Sequence, residues 1–221
     1  MRRTMAKASF HAALNLLFFA VLATLVLAST YYLTRDRIAS SVEKEKLQLI
    51  AQIVPPHLYD NAIVQDTLQL PPSELLGTNE NSIAYLARLK GEPSAVVLQA
   101  IAPDGYGGRI ALIIAIHRDG EISGVRVVSH RETPGLGDYI ELPKSPWIKG
   151  FDGQSLAKLK KTDWKVKKDG GSFDYMAGAT ITPRAVVQAV HKAAHYFEQH
   201  RAVLLAHPAD TSVPTVKEKT Q

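Results

Sequence analysis

One segment of the chain combines small residues, hydroxyl groups and a helix start in a pattern that suits a phosphate group. It runs over residues 174–183 and reads DYMAGATITP, beginning at Asp174. The Ala177-Gly178-Ala179 run lets another molecule approach the backbone closely. Thr182 suits the N-cap of a helix, with Pro183 following, so Thr180 lies just before a helix amino terminus. Free N–H groups and the helix dipole favour a phosphate there, although a plain helix cap accounts for the same residues.

A second segment, residues 130–138, reads HRETPGLGD and directly follows a predicted strand. Its Pro-Gly-Leu-Gly part fixes a tight backbone path with exposed N–H groups, and polar side chains flank an apolar leucine. A flat heteroaromatic ligand needs that mixture, and a rigid turn is the alternative. The residues predicted to contact such a ligand are His130, Glu132, Thr133, Gly135, Leu136 and Gly137.

Other candidate chemistry in the chain is weak. The 221 residues contain no cysteine, which excludes thiol catalysis and cysteine-based metal sites. His191 and His195 share a helix face, but lysine stands where a metalloprotease helix has glutamate, and no third ligand is evident. The GYGG run at residues 105–108 is a turn into a strand or a point of backbone approach to a ligand. We therefore expect no catalytic acid–base pair and no metal site.

The two segments need a scaffold, and the patterning predicts an antiparallel sheet followed by one long helix, an α+β domain. Asp119-Gly120 between two β-branched runs is a strong hairpin signal. The predicted strands are Ile83–Lys90, Ala95–Ile101, Arg109–His117 and Ile122–Val128, and the predicted helices are 152–162 and Pro183–Arg201. On the second helix Val187, Val190, Ala194 and Phe197 share one apolar face.

The amino-terminal region predicts a membrane anchor. Residues 12–34 contain no charged residue, and 23 residues of helix span about 35 Å, enough for a hydrocarbon core of about 30 Å. That stretch is too long for a cleaved signal peptide. Basic residues stand both before the span, at Arg2, Arg3 and Lys7, and after it, so the positive-inside count is close to balanced. A short tail easily stays in the cytoplasm while a folded domain follows on the far side, and we expect that orientation. The other 187 residues carry 23 basic against 21 acidic residues, unlike a nucleic-acid binder.

Together, ETPGLG and the AGAT-x-T motif behind one apolar span resemble the G subunit of the Rnf electron-transport complex. The related C subunit of the sodium-pumping NADH:quinone reductase has the same FMN-binding domain. The resemblance covers about residues 1–201. This chain has Ala177 where the family's motif begins with serine or threonine, so one hydroxyl contact is missing.

The resemblance implies a specific cofactor chemistry. FMN would be attached through its phosphate to Thr180 by a phosphoester bond, and Asp174 matches the acidic position upstream of that motif. A separate flavin transferase would attach the FMN, using FAD as donor. His130, Arg131 and Glu132 are candidates for tuning the flavin. The chain would relay electrons between ferredoxin and NAD, with other subunits of a complex, in the bacterial inner membrane with its domain on the periplasmic side.

Three alternatives remain open at this point. The chain resembles the C subunit of the quinone reductase less closely, because its domain is compact. It could also be a membrane-anchored assembly subunit without a redox cofactor, or a flavin carrier in an unrelated extracytosolic reductase. The predicted organisation is a tail and transmembrane helix over 1–34, a stalk helix over 35–56, the FMN-binding domain over 57–204 and a disordered tail over 205–221.

Overall fold

The structure, a computed structural model, describes residues 2–206. Its helices are α1 (Arg2–Ile53) and α2 (Ile181–Leu204), with 3-10 turns at Pro56–Leu58, Asp138–Ile140, Pro146–Phe151 and Lys167–Asp169. Its strands are β1 (Thr67–Leu70), β2 (Ser82–Leu89), β3 (Glu92–Gly105), β4 (Gly108–His117) and β5 (Ile122–Ser129). The chain divides into two compact units, residues 1–46 and 47–221. The predicted disordered tail lies outside the described residues, apart from its first two.

The first unit is helical and contains a candidate membrane span, Phe10–Ile38, with a mean hydropathy of 2.3 and no buried residue in its apolar window. The hydroxyl groups of Thr24, Thr30 and Thr34 donate to backbone carbonyls one turn earlier, at 2.8 Å each. These polar groups therefore need no water. The helix meets the length and composition requirements of a membrane span.

The second unit is built on a five-stranded antiparallel sheet in the order β1-β2-β3-β4-β5. Alternation along the strands divides their side chains between two faces. One face packs against α2, whose Val187, Val190, Ala194 and Phe197 are at most 2% exposed, which confirms the predicted apolar face. The long helix therefore packs against the sheet through this apolar face.

The other face of the sheet is covered by the end of α1. Ile50, Ile53 and Val54 are at most 4% exposed and pack against Val97 and Ile113 of the central strands. The Ser123 hydroxyl of β5 donates to the Ile53 carbonyl. The last turn of α1 is therefore part of the core of the second unit.

The predicted antiparallel α+β architecture is confirmed, with local corrections to its elements. The structure adds β1, which was not predicted, and extends β3 beyond the predicted Ala95–Ile101. Residues 152–162 do not form the predicted helix: a 3-10 turn over Pro146–Phe151 precedes them, and turns follow. Leu156 and Leu159 pack against the core from these turns. The final helix also begins at Ile181, two residues earlier than predicted.

Candidate cofactor site

The two segments singled out in the sequence lie against each other across one cavity of about 300 Å³. It lies at the start of α2, next to the β3–β4 turn. Its walls are formed by Tyr106, Glu132, Thr133, Leu136, Gly137, Gly178, Ala179, Thr180, Ile181 and Thr182. Residues separated by about 50 positions in the chain therefore form a single site.

The loop after β5 is held in shape by its own hydrogen bonds. His130 Nδ1 accepts from the Glu132 N–H at 2.9 Å, so the ring proton lies on Nε2, which bonds Glu141 at 2.6 Å. The Gly135 N–H donates to Asp138 Oδ1 at 2.8 Å, and its φ of +78° is one that glycine adopts without strain. His130 and Gly135 thus shape the loop from outside the cavity wall.

Glu132 joins three elements at the base of the cavity. The residue is 5% exposed; its Oε2 accepts from the Thr182 hydroxyl at 2.5 Å and its Oε1 from the Gly107 N–H at 3.0 Å. A Cβ at Gly137 would lie 2.5 Å from Oε2, and one at Gly105 would lie 2.7 Å from Oε1. The carboxylate therefore requires glycine on both sides, and it ties the β3–β4 turn to α2.

The first turn of α2 is not closed by a side chain. The N-cap is Thr180, whose side chain makes no capping hydrogen bond. The predicted cap, Thr182, is instead the second residue of the helix, 1% exposed, and its hydroxyl is taken by Glu132. This corrects the sequence interpretation: a tertiary partner has replaced the local one. The N–H groups of Ile181 and Thr182 are left without a side-chain acceptor.

The segment before α2, here called the attachment loop (residues 174–179), is largely exposed. Gly178 has φ +87° with open space where a Cβ would stand. The Asp174 carboxylate forms an exposed ion pair with Lys167 at 2.5 Å, and neither Asp174 nor Ala177 lines the cavity. The aromatic side chains of Tyr139 and Trp147 contact the loop. Tyr139 is the only described group there with a clearly shifted pKa, which burial raises to about 12.

Three residues of the site were not singled out from the sequence. Tyr106 lies in the glycine-rich turn, and it contributes a side chain that is 70% exposed at the cavity rim. Ile181 lines the same rim. Tyr139 was missed because nothing in the neighbouring sequence distinguishes it. Its hydroxyl hydrogen-bonds to attachment-loop residues that lie about 40 positions later in the chain. Tyr106 and Ile181 lie in segments that carry a sequence signal, the glycine-rich turn and residues 174–183, whereas Tyr139 does not.

The cavity suits a planar, phosphate-bearing cofactor better than a reaction on a substrate. Its ten lining residues include no lysine, arginine or histidine, and its one carboxylate is already occupied by two donors. No proton-transfer pair is found among these lining residues. Unpaired N–H groups at a helix start favour a phosphate, and apolar side chains at the rim favour a ring system. The residues present therefore fit FMN.

Comparison with known proteins agrees with this chemistry. Residues 105–195 match the FMN-binding domain family, and residues 4–53 match the RnfG N-terminal region. The first match contains the whole cavity, including both motif segments. The second covers nearly all of α1. The chain therefore carries an FMN-binding domain.

Similar proteins are found in several bacteria, each named as the G subunit of an ion-translocating oxidoreductase complex. The chain is 49% identical to the one from Pseudomonas aeruginosa strain UCBPP-PA14 over 194 residues, covering 88% of this chain and 91% of the relative. It is 47% identical to that of Vibrio cholerae serotype O1 strain M66-2, with 86% and 90% covered. For Shewanella loihica the identity is 44%, with 88% and 92% covered. The chain belongs to this family, the G subunits of ion-translocating oxidoreductase complexes.

Proposed function

We propose that this chain relays electrons through an FMN bound covalently to Thr180, as a membrane-anchored subunit of an ion-translocating oxidoreductase complex. The observation that carries the proposal is the convergence of the two motif segments on one cavity with Thr180 in its wall. The FMN would supply one- and two-electron redox chemistry, and the protein would hold and orient it.

The start of α2 supports a phosphoester at Thr180. The helix has no side-chain cap, so the N–H groups of Ile181 and Thr182 are free to donate to phosphate oxygens. The dipole of the 24-residue helix adds positive potential at the same end. Because no cation lines the cavity, these backbone groups and the covalent bond would hold the phosphate.

Attachment at Thr180 needs a separate enzyme. In the described structure no side chain hydrogen-bonds to its hydroxyl, so nothing activates it as a nucleophile. The Thr180 oxygen would attack the phosphorus of the FMN half of FAD, bound by a flavin transferase. The bond from that phosphorus to the AMP oxygen would break, AMP would leave, and the hydroxyl proton would pass to the transferase or to water.

Electron relay requires a flavin that partners can approach. Three large apolar side chains at the cavity rim are strongly exposed: Tyr106 at 70%, Leu136 at 49% and Ile181 at 48%. Such a patch is typical of a surface that contacts another molecule. It supports docking of a redox partner directly over the cavity.

The side of the membrane belongs to the same proposal. The candidate span Phe10–Ile38 would anchor the chain, and the short basic tail before it would stay in the cytoplasm. The FMN-binding domain would then lie on the periplasmic side of the bacterial inner membrane. Absence of cysteine agrees with that compartment.

The test is flavin fluorescence in a denaturing gel after co-expression with a flavin transferase. The wild-type band should fluoresce, with an intact mass higher by one FMN less one water. Thr180→Ala should be dark, because the acceptor oxygen is gone, whereas Thr180→Ser should keep fluorescence. Thr133→Ala removes another hydroxyl from the same cavity wall and should remain fluorescent. A fluorescent Thr180→Ala band would refute the assignment, and a dark wild-type protein would favour a subunit without covalent flavin.

A further inference from the structure

The proposed attachment residue is buried, although its neighbours are not. Thr180 is 8% exposed, whereas residues 174–178 are exposed to solvent. A transferase carries FAD in its own active site and must bring the phosphorus within bonding distance of the Thr180 oxygen. Thr180 reaches solvent only through the cavity wall that it shares with Gly178 and Ala179 of the attachment loop, so movement of that loop would widen the approach.

Two aromatic residues hold the loop at both of its ends. The Trp147 indole N–H donates to the Asp174 carbonyl at 2.7 Å. The Tyr139 hydroxyl donates to the Ala179 carbonyl and accepts from the Met176 N–H, both at 3.4 Å. The two rings also meet edge to face, with centroids 5.6 Å apart. Tyr139 and Trp147, here called the clip, therefore tie the loop to the core.

Few other polar contacts hold the loop in the described structure. Within the loop one backbone bond joins Ala179 N–H to the Met176 carbonyl at 3.1 Å, and it can move with the loop. The Lys167–Asp174 ion pair is exposed at both side chains, so it contributes little. A solvent-open cavity of about 410 Å³ lies beside Trp147 and Asp174. Few bonds and adjacent space are the physical conditions for local opening.

We propose that Tyr139 and Trp147 are positioning residues that close the attachment loop over Thr180, and that flavin attachment proceeds through the loop-open state. The inference rests on the proposed function, since it concerns the same threonine. If the clip is weakened, the open state becomes more populated, so the rate of flavin attachment should rise. After attachment, the flavin should be held less rigidly.

The test compares attachment rates in the purified full chain with limiting transferase and FAD. Trp147→Phe and Tyr139→Phe each keep a ring in the aromatic contacts and remove the hydrogen bonds to the loop. Each should attach flavin about threefold to tenfold faster, as expected for loss of a modest hydrogen bond. After loading, flavin fluorescence anisotropy should fall in both variants. Trp164→Phe is the matched control, because its buried indole N–H has no hydrogen-bond partner in the described structure.

Hydrogen exchange supplies a readout that does not depend on any variant. In wild-type protein, hydrogen exchange at the Met176 and Ala179 amides measures how fast the loop opens. The attachment rate at saturating transferase should not exceed that opening rate. A faster reaction would overturn the inference, as would clip variants that attach flavin at the wild-type rate while their loop amides exchange faster. If wild-type protein acquires flavin elsewhere than on Thr180, or none, the proposed function fails and the clip inference fails with it.

Discussion

Glu132 shows how strongly a single buried side chain fixes this site. Its two oxygens reach α2 and the β3–β4 turn, and the glycines at 105 and 137 leave room for it. A buried carboxylate is costly unless its oxygens are hydrogen-bonded. Thr182 is therefore a structural partner of Glu132, and its removal should be felt in stability.

We predict that Thr182→Val lowers the free energy of unfolding by about 1–3 kcal/mol. Valine is close in shape to threonine but has no hydroxyl, so a buried carboxylate oxygen of Glu132 loses its hydrogen-bond donor. Urea denaturation of the full chain in detergent measures this. Thr133→Val is the control: Thr133 is exposed and should change stability by less than about 0.5 kcal/mol. Equal stabilities of the two variants would mean that the Glu132–Thr182 bond contributes nothing.

At the residue scale, the structure brings most of the predicted ligand residues to one cavity and corrects the role of one threonine. Eight of its predicted ligand residues do line the cavity: Glu132, Thr133, Leu136, Gly137, Gly178, Ala179, Thr180 and Thr182. The interpretation of Thr182 as a cap was wrong because capping patterns are local, whereas its real partner lies 50 positions away. A single sequence does not reveal pairs of that kind.

At the scale of elements, four of the five strands were predicted from the sequence, whereas β1 and the loops were not. β4 is an almost continuous apolar run and β5 is rich in β-branched residues. The Asp-Gly turn between them predicted the two ends that adjoin it, His117 and Ile122, where the structure has them. The stretch after Phe151 has leucines at helical spacing but folds as turns, because Trp164 and Val166 also reach the core from it. The last turn of α1 is likewise buried against the sheet, a contact that depends on residues far away in the chain.

That last turn carries a testable consequence. Ile53 is 1% exposed, and a Cβ added at Gly124 would lie 2.8 Å from its side chain, so the fit is close. Ile53→Ala should lower the free energy of unfolding of the FMN-binding domain by about 2–5 kcal/mol, since it leaves a cavity in the core. Thermal or urea unfolding monitored by tryptophan fluorescence measures it. Gln48→Ala, at an exposed position of the same helix, should have little effect; similar losses in both variants would contradict the packing role.

At the scale of the whole molecule, the orientation across the membrane decides which partners can reach the flavin. Basic residues stand both before the candidate span, at Arg2, Arg3 and Lys7, and after it, so their count alone gives a weak preference. The absence of cysteine makes a direct measurement possible, because any introduced thiol is the only one in the chain.

We predict that Glu80→Cys reacts with a membrane-impermeant maleimide in intact spheroplasts, because Glu80 is exposed in the domain proposed to be periplasmic. Thr4→Cys, placed before the candidate span, should react only after lysis, since the proposed topology puts that tail in the cytoplasm. Because both variants differ from a cysteine-free chain by one thiol, the labelled bands need no correction for background. The reverse pattern would place the flavin on the cytoplasmic side, and the apolar rim around Tyr106 and Leu136 would then dock partners from that compartment.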